Sequence, residues 1–363
     1  MLDSAASAKI LMTADAVGGV WTYALELARG LAPHGVEFTI ATMGPRPTAA
    51  QQRQAAQLPN VSLRESDYRL EWMDAPWREV DAAGEWLRAL AAELAPDLIH
   101  LNGYSHAALR WPAPVLVVAH SCVLSWWRAV KNEPAPNDWN EYRERVAVGL
   151  RAADFVVAPS GSMLATLAQN YGSFPRRGVI PNGRDERHFW IGKKEPLIFA
   201  AGRFWDEAKN LATLQEAAAV VDWPLRIAGS EGAAGDLVRL GFLSAEEVAG
   251  WLARASIFCL PARYEPFGLS ALEAAFSGCA LVLGDIASLR EIWQDAALFV
   301  DPNDPPAIAA TLQGLIRDRA QRAELALRAR ERARQFRLEK MADRYLSLYS
   351  GIVRQFHSVE DAA

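Results

Sequence analysis

The sequence is poor in three features that would each define a common class of protein. Its 363 residues include only three cysteines, Cys122, Cys259 and Cys279, which lie far apart and without the spacing of a metal site. No apolar run reaches the roughly 18 residues that a membrane span needs. The formal charge of −5 lacks the basic excess of a nucleic-acid binder, so no nucleic-acid partner is expected. These absences predict a cytoplasmic protein, with contact at the inner face of the membrane left open.

Two short motifs are missing as well. The glycine pair Gly18-Gly19 does not satisfy G-x-G-x-x-G, the dinucleotide fingerprint, and this disfavours a dehydrogenase. No Asp-x-Asp sequence occurs, and no side chains are predicted to bind a metal. What the chain has is an ordinary globular balance, with 51% apolar and 22% charged residues.

Short apolar runs alternate with helical patterns along the chain, which predicts a parallel α/β architecture. Strands are predicted in the first half at residues 9–13, 36–42, 98–101, 115–119 and 155–158. Those of the second half are predicted at residues 197–201, 225–228, 257–260 and 280–283. Helices are predicted at residues 21–31 and 139–152, and over most of residues 307–353. The length suits two domains, and the polar, turn-rich stretch before residue 195 is a natural linker.

The segment most informative about chemistry is residues 261–273, which follows a predicted strand and opens a helix. Parallel strands of α/β folds end at the edge where ligands bind, and the free N–H groups of a helix start favour a phosphate. Glu265 and Glu273 could then accept hydrogen bonds from the hydroxyl groups of one ligand. Pro266 disfavours a helical Glu265 and leaves its side chain in a loop. For Glu273 an alternative stays open, because Ser270 and Glu273 have the spacing of a capping box.

Residues 200–210 form a second segment that leads from a strand into a helix. Its Arg203 and Lys209 could neutralise a diphosphate, Arg203 by its planar fork and Lys209 as a point charge. Both could also stabilise charge that develops on a departing phosphate. The alternative is a pair of solvated basic side chains.

Two further features lie at the carboxyl ends of predicted strands in the first half of the chain. Gly18 and Gly19 could let the backbone approach a ligand closely, or they could form a plain turn between a strand and a helix. His120 follows the strand at residues 115–119. It could be catalytic or, like most single histidines, structural.

Together and in this order, these segments resemble the family 4 retaining glycosyltransferases of the GT-B fold, the glycosyl transferases group 1. The main pattern is E-x7-E, from Glu265 to Glu273, within Tyr-Glu-Pro-Phe-Gly-Leu. Gly202-Arg203 and Lys209-Asn210 precede it, as does Pro-Asn-Gly followed by Asp185. The resemblance spans nearly the whole chain and is strongest over residues 179–305.

The resemblance implies two Rossmann-like domains that face each other across a cleft. Residues 1–185 would form an acceptor-binding domain and residues 186–340 a donor-binding domain. Residues 341–363 would form a C-terminal helix that returns to the first domain. Two departures from the family pattern are Trp205-Asp-Glu-Ala, where smaller polar residues are more usual, and Gly284-Asp-Ile, which replaces Thr-Asp-Val-Gly-Gly.

The resemblance also implies a role for the side chains that match family positions. Arg203 and Lys209 would bind the diphosphate of the donor. Glu265 would hold the sugar hydroxyls, and Glu273 would hold the ribose hydroxyls. His120 would lie near the reacting sugar and contact it without acting as a strong base.

Backbone groups would complete the donor site that the resemblance implies. Phe267, Gly268 and Leu269 would present N–H groups to the sugar and the phosphate. The backbone of Leu243 would contact the base. The Gly18-Gly19 loop would approach the diphosphate from the N-terminal domain.

The implied activity is transfer of a hexose from a nucleotide-diphosphate sugar to a hydroxyl acceptor, as in polysaccharide biosynthesis. The acceptor could be a glycan, a lipid-linked sugar or a small molecule. Retention without a convincing nucleophile suggests a front-side displacement, in which the departing phosphate oxygen deprotonates the acceptor. Arg203 and Lys209 would replace Mg²⁺, so no metal or other cofactor is expected. Two alternatives stay open: a catalytically silent nucleotide-sugar-binding protein and a GT-B epimerase.

The sequence leaves the acceptor, the donor base, the sugar and the oligomeric state undetermined. Because aromatic faces suit sugars and lipid-linked acceptors alike, an acceptor site is expected in the first domain. Five aromatic residues are candidates for its lining: Trp72, Trp77, Tyr104, Trp126 and Trp127. They could equally be ordinary core or surface groups.

Overall fold

The computed structural model describes residues 8–174, 176–229 and 238–360. Contacts between Cα atoms divide the chain into two compact units. The first consists of Met1–Ser125, Pro134–Gly183 and Leu338–Ala363, and the second of Trp126–Glu133 and Arg184–Arg337. The predicted domain boundaries after residues 185 and 340 lie within three residues of two points at which the chain passes from one unit to the other. No sequence signal indicated that Trp126–Glu133 belongs to the second unit.

The first unit is built around a parallel sheet. Its strands are β1 (Lys9–Asp15), β2 (Glu37–Met43), β3 (Val61–Glu65), β4 (Leu98–Leu101), β5 (Val115–Val118), β6 (Phe155–Ala158) and β7 (Arg177–Val179). Their spatial order is β3-β2-β1-β4-β5-β6-β7. The helices are α1 (Gly19–Leu31), α2 (Ala49–Ala56), α3 (Trp77–Leu94), α4 (Val123–Lys131), α5 (Asn140–Ala152) and α6 (Gly161–Tyr171). From Trp126 onwards α4 belongs to the second unit.

The second unit contains another parallel sheet. Its strands are β8 (Glu195–Ala201), β9 (Leu225–Ala228), β10 (Val238–Arg239), β11 (Ala255–Leu260), β12 (Ala280–Gly284) and β13 (Leu298–Val300). Their spatial order is β10-β9-β8-β11-β12-β13. The helices are α7 (Leu211–Ala218), α8 (Ala245–Arg254), α9 (Leu269–Phe276), α10 (Ala287–Trp293), α11 (Pro305–Arg317) and α12 (Arg319–Ala333).

The inner strands of both sheets are largely buried. Every residue of β4, β5, β11 and β12 is buried, as expected of parallel strands covered by helices on both faces. Such strands appear in the sequence as short, mostly apolar runs, which is why the sequence indicated them. The parallel α/β architecture is confirmed.

Four strands were not predicted, and all four lie at sheet edges. They are β3, β7, β10 and β13. Edge strands pair on one side only and are commonly short and polar. In β3, for example, exposed and half-buried residues alternate, so no continuous apolar run marks it.

The last helix, α13 (Leu338–Glu360), packs on the first unit, as predicted for the C-terminal helix. Leu338, Met341 and Tyr345 are buried in the core that also contains α1. The contact with α1 is close, because a Cβ atom on Gly30 would lie 2.8 Å from Ala342 Cβ. No helix within the described ranges is long and apolar enough to cross a membrane.

Candidate active site

The order of the strands locates a candidate site in each unit. In the first unit the chain runs from β1 to β2 on one side and later to β4 on the other. In the second unit β8 has the same position between β9 and β11. Ligands of open parallel sheets bind beyond the carboxyl ends of the strands at such switch points. The loops after β8 and β11 carry Arg203, Lys209 and Glu265, so the second unit brings these three predicted residues to its switch point.

Lys209 and Glu265 form a close ion pair at this switch point. Lys209 Nζ lies 2.6 Å from Glu265 Oε2, and the two side chains are 12% and 14% exposed. Burial works to raise the pKa of the Glu265 carboxyl. The charges of Lys209 and Arg203 and the hydrogen bonds from Lys209 and Phe267 outweigh burial, so the pKa lies below its ordinary value. Glu265 is therefore an anion at neutral pH, able to accept hydrogen bonds from hydroxyl groups.

The position of Lys209 is fixed by the residue that follows it. Asn210 adopts the left-handed conformation, with φ of 60°, between a short 3-10 helix and α7. Its side-chain amide donates to the carbonyl oxygens of Pro261 and Pro302. The backbone N–H of Arg263 also donates to Ala208 O at 2.8 Å. These bonds tie the loop after β8 to the loop that carries Glu265.

Arg203 is more accessible to solvent than Lys209. Its side chain is 39% exposed, and its guanidinium group lies 4.0 Å from Asp206 Oδ2. The guanidinium carbon lies 5.4 Å from the centre of the Trp205 ring, within the range of a cation–π contact. Arg203 can therefore meet a ligand from solvent, while Lys209 acts from a more buried position.

The start of α9 adds backbone donors next to Glu265. Gly268 is the N-cap residue, with φ of 91°, and no side chain caps the helix. Phe267 N–H points to Glu265 Oε1 at 3.4 Å, so this donor is partly used within the protein. Ser288 Oγ donates to Glu265 O at 2.6 Å and holds the turn from the side of α10. Leu269 begins the helix, where N–H groups favour an anion.

Glu273 does not serve as the acidic member of a capping box, so that alternative is wrong. The N-cap of α9 is Gly268, and Ser270 lies inside the helix. Glu273 Oε1 instead lies 3.0 Å from Arg184 Nε, with the two side chains 15% and 9% exposed. Sequence reasoning missed Arg184, although it stands directly after Pro-Asn-Gly in a motif that was identified.

Leu243 lies just before α8, half-buried against the core of the second unit. A capping box does occur here: Ser244 accepts from the N–H of Glu247, and the Glu247 carboxylate accepts from Ser244 N–H at 2.8 Å. The predicted contact of the Leu243 backbone with a base stays a prediction.

His120 is held by a defined hydrogen-bond chain in the first unit. Asn102 Nδ2 donates to Thr13 O at 2.6 Å, and Asn102 Oδ1 lies 2.8 Å from His120 Nε2. Because a carbonyl oxygen only accepts, the amide nitrogen must face Thr13 and the amide oxygen must face His120. His120 Nε2 therefore carries the proton, and Nδ1 is an acceptor.

The imidazole of His120 is neutral. Burial lowers its pKa to about 3, and the Tyr23 ring packs edge-on at 4.4 Å between centroids. A neutral ring agrees with the prediction that His120 is not a strong base. Sequence reasoning missed Asn102. Its position directly after a predicted strand, at the edge of the sheet where ligands bind, was a signal that could have identified it.

The glycine pair lies at the switch point of the first unit. Gly18 is the N-cap of α1 and Gly19 its first residue, and no side chain caps the helix. The nearby Asp15 carboxylate accepts from Val17 N–H at 2.9 Å, which shapes the turn. The first N–H groups of α1 therefore have no side-chain cap, as a backbone that binds an anion requires. The predicted approach of Gly18 and Gly19 to the diphosphate stays a prediction.

The five aromatic candidates for an acceptor site are divided between the two units. Trp126 and Trp127 belong to the second unit. Tyr104 is 4% exposed and its hydroxyl donates to Ser121 O at 2.6 Å. Trp77 lies under the guanidinium group of Arg145. Trp72 is 39% exposed and is the member most open to a ligand.

Three or more His, Cys, Asp or Glu side chains in a metal-binding arrangement do not occur in the part of the chain that the structure describes. Arg203 and Lys209 supply positive charge at the switch point of the second unit, and Arg184 supplies it beside Glu273.

The architecture is that of the GT-B enzymes. Sucrose-phosphate synthase from Thermosynechococcus elongatus superposes with a TM-score of 0.78 at 20% identity, covering 97% of this chain and all of that structure. The Anabaena protein HepE, solved with UDP and glucose, superposes with a TM-score of 0.76 at 16% identity, covering 95% of this chain and all of its own. At these identities the similarity establishes the fold alone.

Family models and curated relatives identify the family. The model described as Glycosyltransferase Family 4 matches residues 17–188, and the model described as Glycosyl transferases group 1 matches residues 184–336. D-inositol 3-phosphate glycosyltransferase from Xylanimonas cellulosilytica is 28% identical, over 93% of this chain and 92% of the relative. O-antigen chain mannosyltransferase B from Escherichia coli is 31% identical over 42% of this chain and 37% of the relative. The chain belongs to the group 1 glycosyltransferases and is a glycosyltransferase enzyme.

Proposed function

We propose that the protein is a retaining hexosyltransferase that uses a nucleotide-diphosphate sugar, without a metal cofactor. The observation that carries the proposal is the ion pair of Lys209 and Glu265 at the switch point of the second unit, with Arg203 nearby. Two cations and an anion at the carboxyl edge of one sheet match a diphosphate joined to a hydroxyl-rich sugar.

In this proposal the donor lies beyond β8 and β11. Arg203 and Lys209 neutralise the diphosphate and stabilise the negative charge that grows on it as the sugar departs. The Glu265 carboxylate accepts hydrogen bonds from the sugar hydroxyls, and the start of α9 meets sugar and phosphate through the N–H groups of Gly268 and Leu269. Glu273, oriented by Arg184, accepts from the ribose hydroxyls.

Transfer then proceeds on the face of the sugar from which the diphosphate leaves. The bond from the anomeric carbon to the phosphate oxygen breaks, and that oxygen takes the proton of the acceptor hydroxyl as the new glycosidic bond forms. The neutral His120 contacts the sugar as a hydrogen-bond partner. It has no role as a general base, which agrees with its low pKa.

Donor identity can be tested directly. Slow hydrolysis of UDP-, GDP- and ADP-sugars, followed by NMR, reports the accepted base, the sugar and the configuration of the released anomer together. HepE was solved with UDP-glucose, so UDP-glucose is the first donor to test. A first product with inverted configuration would contradict the retaining mechanism.

Acceptor identity needs a second screen with the donor found. D-inositol 3-phosphate belongs in the panel because several curated relatives carry it in their name. Glycan and lipid-linked acceptors complete the panel. We expect Glu265→Ala and Lys209→Ala to abolish transfer, whereas Glu207→Gln, which alters an exposed carboxylate in the same loop, should retain it.

A donor epimerase or a silent binding protein would give different results. An epimerase would change the sugar of the donor without releasing the nucleoside diphosphate. A silent protein would bind the nucleotide and release no product with any acceptor.

A further inference from the structure

The loop between β8 and α7, residues 202–210, is here called the diphosphate loop because it carries Arg203 and Lys209. Its middle, Trp205-Asp-Glu-Ala, departs from the usual family sequence. Each of the three large residues has a partner in the structure. Trp205 lies beside Arg203, Asp206 contacts Trp126, and Glu207 contacts Lys131.

The contact between Asp206 and Trp126 is the better protected of the two that reach α4. Trp126 Nε1 donates to Asp206 Oδ1 at 2.8 Å, and the Asp206 side chain is 13% exposed. The same oxygen accepts from Ala208 N–H at 2.9 Å, which caps the 3-10 helix that ends at Lys209. Asp206 thus fixes the fold of the loop and anchors it to α4 through one carboxylate.

The contact between Lys131 and Glu207 is exposed. Lys131 Nζ lies 2.6 Å from Glu207 Oε2, but the side chains are 34% and 58% exposed. Exposed ion pairs contribute little because water and salt screen them. This pair therefore supplies a matched control on the same helix and the same loop.

We propose that Trp126 is a positioning residue for the donor diphosphate: through Asp206 it holds the diphosphate loop so that Arg203 and Lys209 stand where the diphosphate binds. The inference rests on the proposed function of this loop. All the residues concerned belong to the second unit, which includes Trp126–Glu133. The departure at Trp205-Asp-Glu-Ala supplies the acceptor that the indole needs, since indole Nε1 is only a donor.

The test compares nucleoside diphosphates with the matching monophosphates, UDP with UMP, GDP with GMP and ADP with AMP. Trp126→Phe keeps an aromatic ring and removes the N–H donor. We expect it to weaken binding of the preferred nucleoside diphosphate about tenfold, as loss of one hydrogen bond to a charged group would. Binding of the monophosphate, and the melting temperature without ligand, should stay close to those of the wild type.

Steady-state kinetics give a second measurement. Trp126→Phe should raise KM for the donor more than it lowers kcat, and it should leave KM for the acceptor unchanged. Glu207→Gln removes the exposed ion pair but leaves Lys131 over the Trp126 ring, so it should change the diphosphate affinity less than about twofold. Asp206→Asn keeps an oxygen acceptor but removes the charge, so its diphosphate affinity should lie between those of Trp126→Phe and Glu207→Gln. It provides the test if Trp126→Phe does not fold.

The possible results separate the two proposals. A wild type that binds nucleoside diphosphates no better than monophosphates contradicts the proposed function of the loop. A wild type that prefers diphosphates, with the same preference in Trp126→Phe and Asp206→Asn, overturns the positioning role and leaves the proposed function standing. A loss of monophosphate binding equal to the loss of diphosphate binding also overturns the positioning role.

Discussion

Lys209 Nζ and Glu265 Oε2, contributed by loops after two neighbouring strands, lie 2.6 Å apart in a largely buried ion pair. Each is a proposed ligand group, and each is also the partner that allows the other to be charged in a protein interior. Substitution at either position therefore affects stability as well as activity.

Removal of one partner should destabilise the fold, because it leaves the other charge buried and unpaired. We expect Lys209→Met to lower the free energy of unfolding by about 3 kcal/mol. The double variant Lys209→Met/Glu265→Leu should return to within about 1 kcal/mol of the wild type, because no isolated charge remains. Urea unfolding of the wild type, both single variants and the double variant measures this coupling. An additive double variant would show that the pair is not coupled.

The stability that Glu265 contributes depends on pH with a defined sign. Its pKa is lower in the folded protein than in the unfolded chain. The contribution is therefore complete above the unfolded pKa, about 4.3, and is lost as the pH falls through the lower, folded value. When the pH is lowered below about 4.3, the free energy of unfolding should decrease less in Glu265→Gln than in the wild type, as measured by urea unfolding.

The two Ser-x-x-Glu sequences should respond differently to the loss of their serine. Ser244→Ala removes a true N-cap and should cost about 1 kcal/mol. Ser270→Ala should cost less than about 0.5 kcal/mol, because Ser270 lies inside α9 and Gly268 is the N-cap. Thermal or urea unfolding of the two variants checks this. Equal losses would restore the capping interpretation of Glu273.

His120 should remain neutral throughout the physiological range. Burial lowers its pKa to about 3, and that of the buried His100 to about 3 as well. Both contribute stability that is complete above the unfolded pKa of about 6.5 and declines as the pH falls towards the folded values. The free energy of unfolding should therefore drop by about 3 kcal/mol between pH 7.5 and 5.5, about half of it from each histidine. NMR of the ring carbons should show no titration of His120 in that interval.

Asn102→Asp provides the converse experiment. It places a carboxylate beside His120 Nε2 and favours the charged imidazole. We expect the pKa of His120 to rise and its titration to move towards neutral pH. An unchanged NMR titration would contradict the assigned contact between residues 102 and 120.

Gly268→Ala should impair donor binding beyond its effect on stability. The residue has φ of 91°, and a Cβ atom would lie 3.3 Å from Leu289 Cδ2 and 3.4 Å from Glu265 Cγ. Gly35→Ala is a matched control, because Gly35 has φ of 71° and nothing within 4 Å of the added Cβ. Each variant should lose about 1–2 kcal/mol from the left-handed backbone. Only Gly268→Ala should also weaken nucleoside diphosphate binding, measured by calorimetry.

The sequence alone predicted the features that depend on local pattern. The inner strands are short and mostly apolar, so β4, β6 and β9 were predicted with their observed bounds. Arg203, Lys209 and Glu265 were identified because they lie in loops that lead from such strands into helices, and parallel strands present their carboxyl ends at one edge. The family resemblance added roles to these residues and is confirmed at the level of the family.

Tertiary structure decided which side chains became partners. Arg184 with Glu273, Asn102 with His120, and Trp126 with Asp206 are distant in sequence, and no local pattern distinguishes them from other polar residues. The edge strands were missed for the same reason, since their pairing depends on a neighbouring strand rather than on an apolar run. Local periodicity determines which elements form, whereas the packing of those elements selects the hydrogen bonds and ion pairs that orient the candidate site.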